Sequence, residues 1–265
     1  MDKRPIGVFD SGLGGLTCVK QLHNILPNED IVYLGDTGRV PYGTRSEKTI
    51  IEFTKQDIAF LQSMDVKLIV IACGTVSSVA LPKIDTRDLP PIIGVVDCSA
   101  YAAANNTKTK KVGVLGTPAT IKSRSYMNRI MELDNEITVT GVSCPLFVPL
   151  VENGYIDAEN QITTLVAEQY LAKLPKDTDT VILGCTHYPL LKGCLTRLLP
   201  GVTLIDSGRE VAMLAKKKLE YRDIMSDDMP GKTRFFVTDS VENFVTVGSV
   251  FLNESITGNV ERIDL

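Results

Sequence analysis

Short apolar runs recur along this chain, each separated from the next by a stretch with helical periodicity. This alternation limits the fold more than any other feature. The candidate strands are residues 6–9, 31–34, 68–72, 92–95, 111–115, 138–142, 180–183, 203–205 and 234–238. Most are apolar throughout rather than at every second position, as strands of a parallel sheet covered on both faces must be. Start signals punctuate the helical stretches. Thr44-x-x-Glu47 and Ser207-x-x-Glu210 read as capping boxes, and Thr117-Pro118 places a capping hydroxyl before a proline in the first turn. Repeated strand, helix, strand order predicts an α/β protein with doubly wound, mainly parallel sheets.

The chain also resembles itself. Ile6-Gly7-Val8-Phe9-Asp10-Ser11 matches Val112-Gly113-Val114-Leu115-Gly116-Thr117 at an offset of 106. The run from Ile31 to Pro41 matches the run from Val139 to Pro149, with the prolines 108 apart. Ile69-Val70-Ile71-Ala72-Cys73 matches Val181-Ile182-Leu183-Gly184-Cys185 at 112. One such match carries little, because apolar strands resemble one another. Three in the same order at nearly constant offset predict two similar α/β domains related by pseudo-twofold symmetry. In this reading residues 1–97 with 209–265 form the first domain and 98–208 the second, the chain crossing back near Asp206. Ligands of open α/β sheets sit beyond the carboxyl ends of the strands. Two halves packed face to face would put Cys73 and Cys185 on opposite sides of one cleft.

Composition argues against several classes. Lys plus Arg number 28 and Asp plus Glu 32, a net charge of −4, which gives no general attraction to nucleic acid or to an anionic membrane. Lys216-Lys217-Lys218 lies in an amphipathic helical pattern and reads as a solvated face. The longest apolar runs, such as 68–73, fall far short of the ~18 residues of a membrane span. Met1-Asp2-Lys3-Arg4-Pro5 lacks the apolar core of a secretory signal. A cytoplasmic protein with reduced thiols is expected. Among the six cysteines no pair has CxxC spacing, and the chain has two histidines, His23 and His187, so no metal cage is expected. Cys18, Cys98, Cys144 and Cys194 read as small buried apolar side chains.

Two segments read as chemical. In Ala72-Cys73-Gly74-Thr75-Val76-Ser77-Ser78 a thiol ends a strand, and small polar residues follow whose N–H groups and hydroxyls suit a carboxylate. In Gly184-Cys185-Thr186-His187-Tyr188-Pro189 a thiol again ends a strand. There Thr186 offers a hydroxyl and His187 an imidazole able to exchange a proton with the thiol. The glycine-rich Phe9-Asp10-Ser11-Gly12-Leu13-Gly14-Gly15-Leu16 follows the first strand. It fits a phosphate loop poorly, since Thr17 stands where a third glycine belongs. Read instead as a tight turn, it lets backbone approach a small ligand, with Asp10 aimed at an ammonium or a thiol and Ser11 donating a hydrogen bond. Gly116 replaces Asp10 in the second half, which singles Asp10 out for function. Val40-Pro41-Tyr42-Gly43-Thr44 reads as a loop with N–H groups toward the cleft. Its counterpart in the second half holds Glu152, which reads as a surface residue.

Over essentially its whole length the chain resembles the glutamate racemases of the aspartate/glutamate racemase superfamily. The marks are Gly7-Val8-Phe9-Asp10-Ser11-Gly12-Leu13-Gly14-Gly15-Leu16, Gly35-Asp36-Thr37 with Pro41-Tyr42-Gly43, Ala72-Cys73-x-Thr75, and Gly184-Cys185-Thr186-His187-Tyr188-Pro189-Leu190-Leu191. The resemblance implies cofactor-independent racemisation of glutamate by two thiols, supplying D-glutamate for peptidoglycan, in a homodimer with no metal, nucleic-acid or membrane partner. It implies that Cys73, assisted by Asp10, acts on the D-enantiomer, and that Cys185, assisted by His187, acts on the L-enantiomer. Glu152 takes part in some members. Asp10, Ser11, Tyr42, Gly43, Gly74, Thr75, Thr117, Thr186 and His187 are the implied substrate contacts.

One position departs from the pattern. The family usually has asparagine after the first cysteine, where this chain has Gly74. The exchange predicts weaker substrate binding, and Gly74→Asn is then expected to tighten it. Two other readings are kept beside the first. One is a racemase acting on aspartate or another small amino acid. The other, from a different class, is a phosphate- or nucleotide-binding module built on the Gly12-x-Gly14 turn.

Overall fold

Continuous apolar runs become strands buried on both faces. In the computed structural model, which describes residues 2–227, 230–256 and 260–265, ten strands form: β1 (Ile6–Asp10), β2 (Ile31–Gly35), β3 (Leu68–Ile71), β4 (Ile92–Gly94), β5 (Lys111–Gly116), β6 (Thr138–Ser143), β7 (Thr180–Leu183), β8 (Thr203–Asp206), β9 (Thr233–Val237) and β10 (Val260–Arg262). Every residue of β1, β2, β3 and β7 is buried. Strands covered on both faces gain from each side chain, roughly 1.5–3 kcal/mol for a fully buried Val, Leu or Ile.

The strands make two sheets, in the orders β10-β9-β2-β1-β3-β4 and β6-β5-β7-β8. All pairings are parallel. The order β2-β1-β3-β4 in the first sheet is repeated as β6-β5-β7-β8 in the second, strand for strand. The sequence repeat is therefore a repeat of topology, and the α/β expectation holds. β9 and β10 extend the first sheet beyond β2. Helices Val95–Asn106 and Ser207–Tyr221 follow the last strand of each four-strand unit and pack on one another. One apolar cluster runs from Val8 and Val70 of the first sheet to Leu115 and Leu183 of the second.

Two caps differ from the sequence reading. Helix Glu47–Ser63 is capped by Ser46, whose side chain accepts from Thr49 N, and not by Thr44. Helix Ser207–Tyr221 is capped by Asp206, which accepts from Gly208 and Arg209 N–H; the Ser207 hydroxyl donates instead to Leu183 O. Both replacements are ordinary capping residues, Ser46 two positions after the expected Thr44 and Asp206 one before the expected Ser207. Thr117 does cap helix Pro118–Ser123, with Pro118 in the first turn. At the far end of the first sheet the Lys67 ammonium is buried 2.6 Å from Glu29 Oε2. It also donates to Asp2 O and Ile224 O, tying the chain start to the 224–226 segment.

Candidate active site

The loops that leave the carboxyl ends of β1, β2 and β3 face those that leave β5, β6 and β7. Between them lies a cleft of about 280 Å³. That volume is at the small end of ligand pockets, roughly 300–1,000 Å³ for drug-sized molecules. Cys73, Gly74 and Thr75 line one wall and Cys185, Thr186 and His187 the other. Ser11, Tyr42, Gly43, Thr117 and Glu152 complete the lining. None of the lining residues is Lys or Arg.

Cys73 sits where β3 gives way to helix Gly74–Val79. Its Sγ accepts from Val76 N at 3.5 Å and lies 3.3 Å from the Ser11 hydroxyl. Burial, and then the negative charge of Asp10, push this thiol from 9.0 up to about 12, against the pull of the Ser11 and Val76 contacts. Burial likewise pushes the Cys185 thiol up. Cys185 Sγ is 3.9 Å from His187 Nδ1. The other ring nitrogen of His187, Nε2, is 3.0 Å from Glu152 Oε1. The ring stands edge-on to Phe251, centroids 5.2 Å apart. Glu152 is therefore not a bystander on the surface: at the end of helix Phe147–Glu152 it reaches across to the histidine.

Asp10 lies beneath the cleft, 1% exposed. Burial pushes its carboxyl up, while His187 and the N–H groups of Gly15, Gly12 and Ser11 pull it down. Its Oδ1 is 3.5 Å from the Thr186 hydroxyl. The side chain that touches the Cys73 sulfur is thus Ser11, with Asp10 acting on it by charge. Tyr42 also differs from expectation. Its hydroxyl is turned away from the cleft and donates to the Asp36 carboxylate, so its contribution to the lining is ring and backbone.

Hydroxyls stitch the two halves together around the cleft. Thr75 and Thr117 oxygens are 3.0 Å apart, Thr17 Oγ1 donates to Thr186 O at 2.8 Å, and Ser125 Oγ donates to Ser78 O at 2.6 Å. Glycines allow the approach. A Cβ on Gly14 would overlap Thr186 Oγ1 and His187, and one on Gly74 would overlap the Gly184 carbonyl oxygen. Two consequences follow. At Gly14 the second half fills the space that a phosphate cradled by this turn would occupy, which counts against the nucleotide-loop reading. In addition, Gly74→Asn cannot simply restore a contact, because its Cβ would meet rigid backbone. Sequence reasoning missed Thr17 and Phe251: a helix threonine and a helix phenylalanine carry no signal until the topology brings them to the site. Among the described residues no group of three His, Cys, Asp or Glu is placed to hold a metal ion.

Parallel sheets in duplicate, with a thiol at each facing strand end and an acid–imidazole pair behind one of them, are the architecture of a racemase fold. A family model for Asp/Glu/hydantoin racemases matches residues 6–215, and the chain belongs to that family. Within it, the chain is similar to glutamate racemases. The enzyme of Syntrophus aciditrophicus is 42% identical over 264 residues, 98% of this chain and 97% of that protein. The solved glutamate racemase isoform RacE1 of Bacillus anthracis has a TM-score of 0.95 at 37% identity, covering 100% of this chain and 99% of that one. The Francisella tularensis glutamate racemase, solved in complex with D-glutamate, has a TM-score of 0.92 at 38% identity, covering 100% and 98%.

Proposed function

We propose that this protein interconverts L- and D-glutamate without a cofactor, using Cys73 and Cys185 as the two proton-transfer groups. The observation that carries this reading is the pair of thiols at equivalent strand ends on opposite walls of one small cleft. Inverting a stereocentre needs a base on one face and an acid on the other. A duplicated fold supplies both with the same local geometry.

In the L-to-D direction, the Cys185 thiolate takes the α-proton. The C–H electron pair moves into the substrate carboxylate, and the Cys73 thiol delivers a proton to the opposite face. The reverse direction exchanges the roles. Charge building on the carboxylate is met by hydroxyls and N–H groups, since the lining has no Lys or Arg. Ser11, Thr75, Thr117 and Thr186 supply the hydroxyls; Gly43 and Gly74 supply backbone N–H groups. Both thiols are held protonated by burial in the free protein. A substrate α-ammonium close to a thiol favours the thiolate and so offsets that penalty. With Nε2–H donated to Glu152, His187 Nδ1 is an acceptor facing Cys185, placed to take the thiol proton and return it. Ser11 and Asp10 serve the Cys73 side.

Glutamate, rather than aspartate, is supported by the relatives that share the whole length of the chain. A cytoplasmic homodimer supplying D-glutamate for peptidoglycan belongs to the same reading. It draws on the family resemblance and on the exposed Ile162 and Leu165 of one helix face. Among the described residues no helix is long and apolar enough to cross a membrane. The test is optical: purified protein with no added cofactor, mixed with L-glutamate, D-glutamate or L-aspartate, and followed by circular dichroism of the substrate. Decay to zero from both glutamate enantiomers supports the proposal. Decay with aspartate and none with glutamate contradicts it.

A further inference from the structure

Two buried carboxylates take no part in the proton transfers above. Asp36 follows β2, and Asp57 lies on the inner face of helix Glu47–Ser63; both are wholly buried. Their oxygens converge on the loop between β2 and that helix. The Tyr42 hydroxyl donates to Asp36 and lies 3.3 Å from Asp57 Oδ2. From the other side Arg39 reaches both, Nε to Asp36 Oδ2 at 2.6 Å and Nη2 to Asp57 Oδ1 at 3.1 Å. Its guanidinium lies 4.3 Å from the centroid of the Phe53 ring. Asp36 Oδ1 accepts from Thr238 Oγ1 at 2.8 Å, and Thr238 Oγ1 accepts from Gly38 N at 2.8 Å. Three points of the loop, at residues 38, 39 and 42, are thereby fixed to groups rooted in the sheet and the helix.

The next residue along faces the second half. Gly43 abuts Thr117, which in turn bonds Thr75 across the cleft. A shift of the Tyr42 ring would therefore be passed to the wall of the substrate space. Stability alone is a weak reason for this cluster, because replacing buried ions by apolar side chains often leaves a protein as stable or more so. Its location under a cleft loop points to placement instead.

We propose that Asp57, with Asp36 and Arg39, is a positioning residue of the active site. It holds the Tyr42 phenol, and through it the 41–44 turn, at the distance the substrate needs. This inference rests on the cleft being a glutamate site. Asparagine is a close mimic of Asp57 in size and shape, and burial, and then Asp36, push the Asp57 carboxyl up, toward the uncharged form that the amide matches.

The experiment compares Asp57→Leu, Asp57→Asn and Tyr42→Phe, each with thermal unfolding and with kcat and KM for both glutamate enantiomers. Asp57→Leu is expected to raise KM about tenfold or more with kcat changed far less, the pattern of lost uniform binding after a misplaced loop. Asp57→Asn, which keeps an acceptor for Arg39 and places a donor toward the Tyr42 hydroxyl, is expected to bring KM back to within about threefold of the parent. If Asp57→Leu does not fold, Tyr42→Phe carries the test, with the same rise in KM expected from losing the hydroxyl alone. An unchanged KM in the folded variants, or equal losses in the Leu and Asn variants, overturns the proposal. A parent protein that racemises no glutamate fails the functional reading and takes this proposal with it.

Discussion

Gly74 shows what one absent side chain controls. Its α-carbon lies so close to the Gly184 carbonyl oxygen that no Cβ fits without moving the Cys73 wall away from the Cys185 wall. Reaction geometry is sensitive at this scale, since a misplacement of about 1 Å can lower a rate about 100-fold. Gly74→Ala and Gly74→Asn are therefore expected to lower kcat/KM by roughly 10- to 100-fold. Steady-state kinetics checks this, with thermal unfolding to show that both variants fold. A lower KM in Gly74→Asn would contradict the geometry and favour the contact that family resemblance suggests. The two thiols and His187 were legible from short motifs because their chemistry is local: a strand end, a hydroxyl, an imidazole two residues on. Glu152 and Asp57 were not, because their partners are 35 and 15 residues away.

At the scale of elements, the strands were legible almost to the residue, since strands buried on both faces need unbroken apolar runs. The exception is β10, where Val260-Glu261-Arg262 forms the outer strand beside β9 and both polar residues are exposed. Caps were less legible, because Ser46 and Asp206 compete with neighbours of similar chemistry and only the backbone decides. Two hydroxyl caps, of which Thr117 lines the cleft and Ser46 does not, separate stability from function. Ser46→Ala is expected to lower unfolding free energy by about 1 kcal/mol and leave KM alone. Thr117→Ala loses a cap and also the contact with Thr75, so it is expected to lower stability by a similar amount and raise KM. Denaturant midpoints and initial rates distinguish them; equal kinetics in both would contradict the assignment of Thr117 to the site. Lys67→Met, far from the cleft, strands the buried Glu29 and is expected to cost roughly 3–5 kcal/mol with kcat retained in whatever fraction folds.

At the scale of the whole molecule, burial of thiols links stability to pH. Cys73, Cys98 and Cys144 are held at about 12 against an ordinary 9.0, and Cys18 and Cys185 are also raised. Between about pH 9 and 12 the unfolded chain loses these protons and the native protein keeps them, so stability is full below 9 and falls as pH rises. The melting temperature is expected to drop progressively above pH 9, and Cys98→Ala, outside the site, to soften that slope. A melting temperature constant to pH 10.5 would contradict it. The reaction itself adds a kinetic constraint. Enantiomers have equal free energy, so kcat/KM must be the same in both directions for the parent and for every variant, while the two thiols remain chemically distinct. The most direct test uses that distinction, with Cys73→Ala and Cys185→Ala each given L- and D-glutamate in deuterated water while optical activity and the α-proton signal are followed. The account predicts no racemisation by either variant, with deuterium entering L-glutamate only where Cys185 remains and D-glutamate only where Cys73 remains. Racemisation by either single-thiol variant at a rate near the parent's would contradict it.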